Sequence, residues 1–157
     1  MLGVGVDHLS HRCFVMKQYL TREKIKLRPA TIQDREKIFL WLTKSNLTKE
    51  MMGPPYYPDS KIPTWDEFIN DYYEYYFNGS HPLKGQCFII EHNGQEIGQI
   101  NHNEIDTLSN TTDLDIWLSD KKHTGKGIGT DAINILPITG KIIEDLNSMK
   151  IYIDGFY

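Results

Sequence analysis

The chain has 157 residues, of which 39% are hydrophobic and 24% charged, with a formal net charge of −4. That is enough for one globular domain with its own core, and 11% aromatic residues exclude a disordered chain. The acidic balance argues against a nucleic-acid partner, whose protein footprint is basic, and no apolar run is long enough to span a bilayer.

The opening "MLGVGVDHLSHRCFVM" is interrupted by Asp7, His8, His11 and Arg12 and makes a poor signal peptide. A cytoplasmic location is expected, with Met16 as an alternative start. Residues 1–23 read as an N-terminal extension and residues 24–157 as the folded domain. "KIKLRPAT" (24–31) alternates apolar and charged residues, the period of a strand. Thr31 then serves as an N-cap, and Ile32, Ile38, Leu40, Trp41 and Leu42 supply the apolar stripe of a helix. "MMGPPYYPDSKIP" (51–63) is a loop, because its prolines forbid a continuous helix.

"TWDEFINDYYEYYFNGS" has Thr64 and Glu67 in capping-box spacing. Trp65, Phe68, Ile69, Tyr72, Tyr73, Tyr76 and Phe77 form one face of the predicted helix, which ends at Asn78-Gly79. Two apolar-alternating runs flank Asn93-Gly94 and predict a tight hairpin. "TTDLDIWLSD" (111–120) is a further strand. "GIGTDAINILPITGKIIEDL" starts as a helix that Pro137 and Gly140 break or kink, and "MKIYID" (149–154) is a last strand. Cys13 and Cys87 stand in no metal-ligand spacing, so no metal is expected, and Cys87 in "CFIIE" reads as a core residue.

The order is strand, two helices, a three-strand meander, helix, strand. It predicts an α/β fold of the mixed α+β type, with a parallel right-handed crossover at the end. "TGKGIG" sits where the last strand of the meander turns into a helix. Glycines let backbone amides approach a diphosphate closely, and a helix N-terminus adds unpaired N–H groups and partial positive charge. Lys122 and Lys126 flank the turn. The spacing is neither a Walker A nor a dinucleotide motif, and an ordinary strand-to-helix turn is the competing reading.

"TGKGIGTDAINIL" in this context resembles the pyrophosphate loop, Arg/Gln-x-x-Gly-x-Gly/Ala, of the GNAT superfamily of acyl-CoA-dependent N-acyltransferases. Thr124 stands where that pattern has Arg or Gln. The resemblance runs from about Lys24 to Asp154. It implies acetyl-CoA as the cofactor, with Thr124, Gly125, Lys126, Gly127, Ile128, Gly129 and Thr130 at its pyrophosphate. It implies transfer of an acetyl group to a primary amine by direct attack in a ternary complex.

Such a transfer needs a base for the amine and a donor for the thioester carbonyl. Asp113, Asp115 and Trp117 share one face of their strand, and Leu114, Ile116 and Leu118 the other. Asp115 is the chosen base, because its distance from the loop resembles that in aminoglycoside 6′-N-acetyltransferases; "WLTKS" (41–45) is also similar to that branch. Asp113 is a weaker candidate, and Asp120 reads as a turn residue. The family implies a carbonyl-binding amide near Leu118. Tyr72 and Tyr76, with Glu104 and Asp113, are the residues expected to bind the acceptor; Tyr56, Tyr57, Tyr73 and Tyr75 are further candidates for its wall. His102 and His123 read as surface residues beside the site, His102 also as a proton relay.

The expected partner is a small-molecule amine, with an aminoglycoside as one candidate and a ribosomal-protein N-terminus as the alternative. The family continues past "KIYID" with an Asn-containing helix, a tyrosine acid and further strands. The fold is therefore expected to lack the last helix and strands. A truncated, non-catalytic remnant is a third reading, and the sheet edge at 149–154 offers a surface for a homodimer.

Overall fold

The computed structural model describes residues 20–22, 25–52, 62–109, 111–136 and 150–154. A six-stranded sheet runs in sequence order: β1 (Leu20–Arg22), β2 (Ile25–Pro29), β3 (Gln86–His92), β4 (Gln95–His102), β5 (Thr111–Leu118) and β6 (Lys150–Asp154). All neighbours are antiparallel except β5 and β6, which pair in parallel as the crossover required. The strand Leu20–Arg22 was not foreseen. It pairs with β2, in a stretch where the alternation that marks β2 is absent.

Among the described residues four α-helices accompany the sheet: α1 (Arg35–Lys44), α2 (Thr48–Met52), α3 (Trp65–Asp71) and α4 (Ile128–Ile135). One apolar cluster gathers Leu27, Ile90, Ile100, Leu114, Ile116 and Leu118 against Ile128 and Ala132 of α4. The other joins Ile89, Cys87 and Trp117 to Ile38 of α1 and Phe68 of α3. The sheet is thus covered on both faces, and the Trp117 indole N–H is spent on the buried Ile38 carbonyl at 3.3 Å.

The cap at Thr64 forms as its spacing predicts. Its hydroxyl accepts from the Glu67 amide, and the Glu67 carboxylate accepts from the Thr64 amide at 2.8 Å. The helix it starts is shorter than expected. α3 stops at Asp71, Tyr72 leaves helical geometry (φ −101°, ψ 76°), and a separate 3₁₀ turn carries Glu74–Phe77. The aromatic run satisfies a helical period on both sides of this break, so the pattern does not reveal it. In α1 and the 3₁₀ turn before it (Ile32–Asp34) the expected stripe is narrower: Ile38 is buried, but Ile32 and Leu40 are 46% and 45% exposed.

The β3–β4 hairpin turns on Asn93 and Gly94, both at positive φ (51° and 76°), as a two-residue turn requires. Its register slips between Ile90 and Glu91. The slip lets Ile97 and Ile100, of opposite parity in sequence, enter the same apolar cluster. Further along β4, Gly98 lies opposite Leu118. A Cβ at Gly98 would stand 2.6 Å from the Trp117 carbonyl oxygen and 2.9 Å from Leu118 Cδ2, so only glycine permits this strand spacing. Cys13, Tyr56, Tyr57, Pro137 and Gly140 lie outside the described residues.

Candidate active site

The site is built where β4 and β5 lie side by side. Asn101 is in register with Asp115, and Asn103 continues that face two residues on, its amide bonded to the Asp113 carbonyl at 2.9 Å. Asp115 Oδ2 accepts from Asn103 Nδ2 at 2.9 Å, from Asn101 Nδ2 at 3.2 Å and from the Tyr72 hydroxyl at 3.2 Å. Oδ1 accepts nothing from the described residues. The break after α3 is what delivers Tyr72, because leaving the helix there lets its ring stack on Phe68 and meet Trp117 edge-on.

Tyr76 joins the same network through Asn103 Oδ1, to which its hydroxyl donates at 2.9 Å. Burial, then the nearby Asp115 charge, pushes the Tyr72 phenol well above its ordinary range. Burial also raises Tyr76 and the Cys87 thiol beneath them. These three groups stay neutral near pH 7.

The other predicted acceptor residues lie elsewhere. Glu104 and Asp113 are exposed and line an open cleft of about 550 Å³ with Asp106, Thr107, Leu108, Thr111 and Thr112. Tyr72, Tyr76 and Asp115 do not line it. Tyr73 and Tyr75 stack on each other, and Tyr75 on Tyr76. Asp120 caps the turn after β5, accepting from the Lys122 amide at 2.8 Å. His123 is half-buried at the end of that turn.

His102 departs from the surface reading. It is fully buried on the opposite parity from Asn101, with Nδ1 against the Asn103 carbonyl at 3.1 Å and Nε2 without a hydrogen-bond partner among the described residues. Burial lowers its pKa, against the pull of that one hydrogen bond. Asn101 and Asn103 were missed as functional residues because polar side chains at alternate strand positions look like a solvated face. The available signal was the register: the same alternation places them beside Asp115.

Beyond β5 the chain makes one 3₁₀ turn (Lys121–His123) and enters the glycine loop. Gly125 and Gly127 adopt φ of 72° and 77°, and nothing lies within 4 Å of where either Cβ would be. Gly127 caps α4, whose first internal bond runs from the Asp131 amide to the Gly127 carbonyl. The amides of Ile128, Gly129 and Thr130 therefore precede the helical ladder. Lys122, Lys126 and Thr130 are exposed, while Ile128 and Gly129 are buried. Thr124, at the family's Arg/Gln position, turns its hydroxyl back to the Lys121 carbonyl at 2.7 Å. Open space beside left-handed glycines, a free helix N-terminus and two exposed lysines fit a diphosphate.

The strand edges next to this loop have a definite polarity. Ser119 bonds to Ile97 and Asn103 to Asp113, so odd-numbered amides of β5 face β4. The even-numbered ones, Leu118 included, face the β6 side. The described β5–β6 pairing ends at Asp115↔Asp154, short of Leu118. Among the described residues no group of three His, Cys, Asp or Glu side chains is placed to hold a metal, and no helix is long and apolar enough to cross a membrane.

The sheet's last pair is parallel, with a glycine turn and a helix between its two strands, the α/β arrangement that the resemblance implies for an N-acyltransferase. The chain belongs to the acetyltransferase (GNAT) domain family, whose pattern it matches over residues 24–148. It superposes on the microcin C7 self-immunity acetyltransferase MccE, solved with acetyl-CoA and AMP. The TM-score is 0.54 at 23% identity, over 84% of this chain and 69% of that one. RimL, a ribosomal L7/L12 α-N-protein acetyltransferase solved with coenzyme A, gives 0.52 at 16% identity, over 76% of this chain and 65% of RimL. AAC(6')-Ib in complex with paromomycin and acetyl-CoA gives 0.53 at 21%, over 80% and 68%. At these identities the likeness shows the fold, and the chain spans about two thirds of each relative's length. No curated protein sequence matches significantly.

Proposed function

We propose that the chain is an acetyl-CoA-dependent N-acetyltransferase that acylates a primary amine by direct attack, with Asp115 as the base. When bound, acetyl-CoA supplies the activated acetyl thioester, and CoA leaves as the thiol. The observation that carries the reading is the state of Asp115: one carboxylate oxygen is anchored by three donors, while the other accepts nothing from the described residues.

In this reading Asp115 Oδ1 binds the acceptor ammonium and takes its proton, making the neutral amine that attacks. In the same reading the Leu118 amide donates to the thioester carbonyl oxygen, which its direction away from β4, beyond the last described β6 pair, supports. Residues 124–130 hold the diphosphate through backbone amides, with Lys122 and Lys126 adding charge. Tyr72 and Tyr76 present rings and hydroxyls beside the acceptor. An acidic group flanked by aromatic rings suits a small cationic amine, an aminoglycoside among them. Glu104 and Asp113 add negative charge at a second cleft.

The test measures thiol release from acetyl-CoA with three acceptors: an aminoglycoside, a simple alkyl diamine and a peptide with a free N-terminus. Thiol release with either small amine and not with the peptide supports the reading. Release with the peptide alone replaces the acceptor. Absence of both turnover and acetyl-CoA binding overturns it.

A further inference from the structure

We propose that Asn103 is a positioning residue for Asp115, and that the Tyr76 hydroxyl steadies the Asn103 amide from its other end. This rests on the reading of Asp115 as the base. Asn103 stands just past β4, held opposite Asp113 by its backbone amide. Its Nδ2 makes the shortest of the three bonds to Asp115 Oδ2, 2.9 Å against 3.2 Å for Asn101 and Tyr72. Its Oδ1 accepts from both the Tyr76 hydroxyl and Asn101 Nδ2, each at 2.9 Å.

The amide has one workable orientation. Turned over, it would set Oδ1 against the carboxylate and Nδ2 against the Asn101 amide nitrogen. Asn101 and Tyr72 hydrogen-bond Asp115 directly, whereas the Tyr76 hydroxyl bonds Asn103 and not the carboxylate. The chain Tyr76–Asn103–Asp115 therefore anchors Oδ2 and leaves Oδ1 for the acceptor. The other titratable groups facing Asp115 are the phenols of Tyr72 and Tyr76 and the Cys87 thiol, all held neutral by burial. Asp154 occupies the neighbouring register position on β6. His102 belongs to the opposite face of the sheet.

Deleting a donor to the charged form of an acid moves its titration upward. The experiment compares wild type, Asn103→Leu, Tyr76→Phe and the double variant, each also in an Asp154→Asn background. The readouts are kcat/KM against pH and carboxyl ¹³C NMR titration of Asp115, its signal assigned with Asp115→Asn. Expected for Asn103→Leu is a rise of about one pH unit in the acid limb and in the NMR midpoint, the size of one hydrogen bond to a charged group. Tyr76→Phe shifts both in the same direction by less, and adds nothing to Asn103→Leu. KM for acetyl-CoA stays unchanged.

Tyr76→Phe keeps the ring packing, so it reads out the link even where Asn103→Leu fails to fold. Unmoved midpoints, or shifts that add independently, overturn the proposal. An NMR midpoint that moves while the wild-type rate profile shows no limb at that pH upholds the positioning and removes the base role instead.

Discussion

The Arg28 guanidinium and the Asp34 carboxylate meet through two hydrogen bonds, 2.8 and 2.9 Å long, across the corner where β2 gives way to α1. Arg28 also bonds Glu96 and lies 3.4 Å from Glu91, and Lys37 joins Asp34 and Glu96. Asp34 is the buried member, and it accepts from the Thr31 amide as well. Burial alone would raise its carboxyl, but Arg28, Thr31 and Lys37 together hold it well below the usual carboxylate range. Asp34→Asn leaves Arg28 and the Thr31 amide short of a partner. The expected cost is ~2 kcal/mol in denaturant unfolding.

The sign of the pH effect follows from the direction of that shift. A depressed carboxyl contributes stability above its unfolded value of about 4. That contribution is lost as the pH falls below 4 toward the folded value. Thermal melts from pH 6 down to pH 2 are expected to show a steeper loss for wild type than for Asp34→Asn.

Asp115→Asn keeps the shape of the side chain and removes its ability to take a proton. The expected result is a fall in kcat/KM of about a hundredfold or more, with the acid limb of the pH profile gone and acetyl-CoA affinity retained. An unchanged rate clears Asp115 of the base role.

Gly127→Ala tests the loop through its backbone. No atom lies near the added methyl, so the stability cost is that of a left-handed alanine, roughly 1 kcal/mol. Relief of that strain draws the loop away from the observed conformation. Acetyl-CoA affinity by calorimetry is expected to drop about tenfold. Gly127→Trp adds bulk at the same point and is expected to abolish binding; affinity equal to wild type for both variants removes the loop assignment.

His102 gives a second pH effect of known sign. Burial favours its neutral form, so the unfolded chain takes up a proton first as the pH falls below about 6.5. Stability from this residue is full above that pH and declines below it, until the folded histidine also protonates. His102→Phe removes the titration. Its melting temperature is expected to gain on wild type as the pH drops from 7 to 5.

The elements legible in the sequence are those set by local chemistry. Thr64 with Glu67, Asn93 with Gly94, and the alternation of Thr111 to Leu118 each determine their own backbone, and each forms as read. The break at Tyr72 was not legible, because aromatic side chains suit a helix, and tertiary contacts with Phe68, Trp117 and Asp115 decide the geometry. His102 looked like a surface residue because alternation on a strand assumes one wet face, whereas both faces of this sheet are covered. The loop glycines stood out by spacing alone. The asparagines around Asp115 did not, since their meaning depends on pairing between β4 and β5.

Gly98 gives the sheet an unexpected point of leverage. The residue it crowds, Leu118, carries the amide proposed for the thioester carbonyl, yet Gly98 itself lies on the neighbouring strand. A single methyl there would act as a wedge, prying β4 from β5 and swinging that amide off its line. The chemistry proposed for one edge of β5 would thus be calibrated by the absence of a side chain on the other.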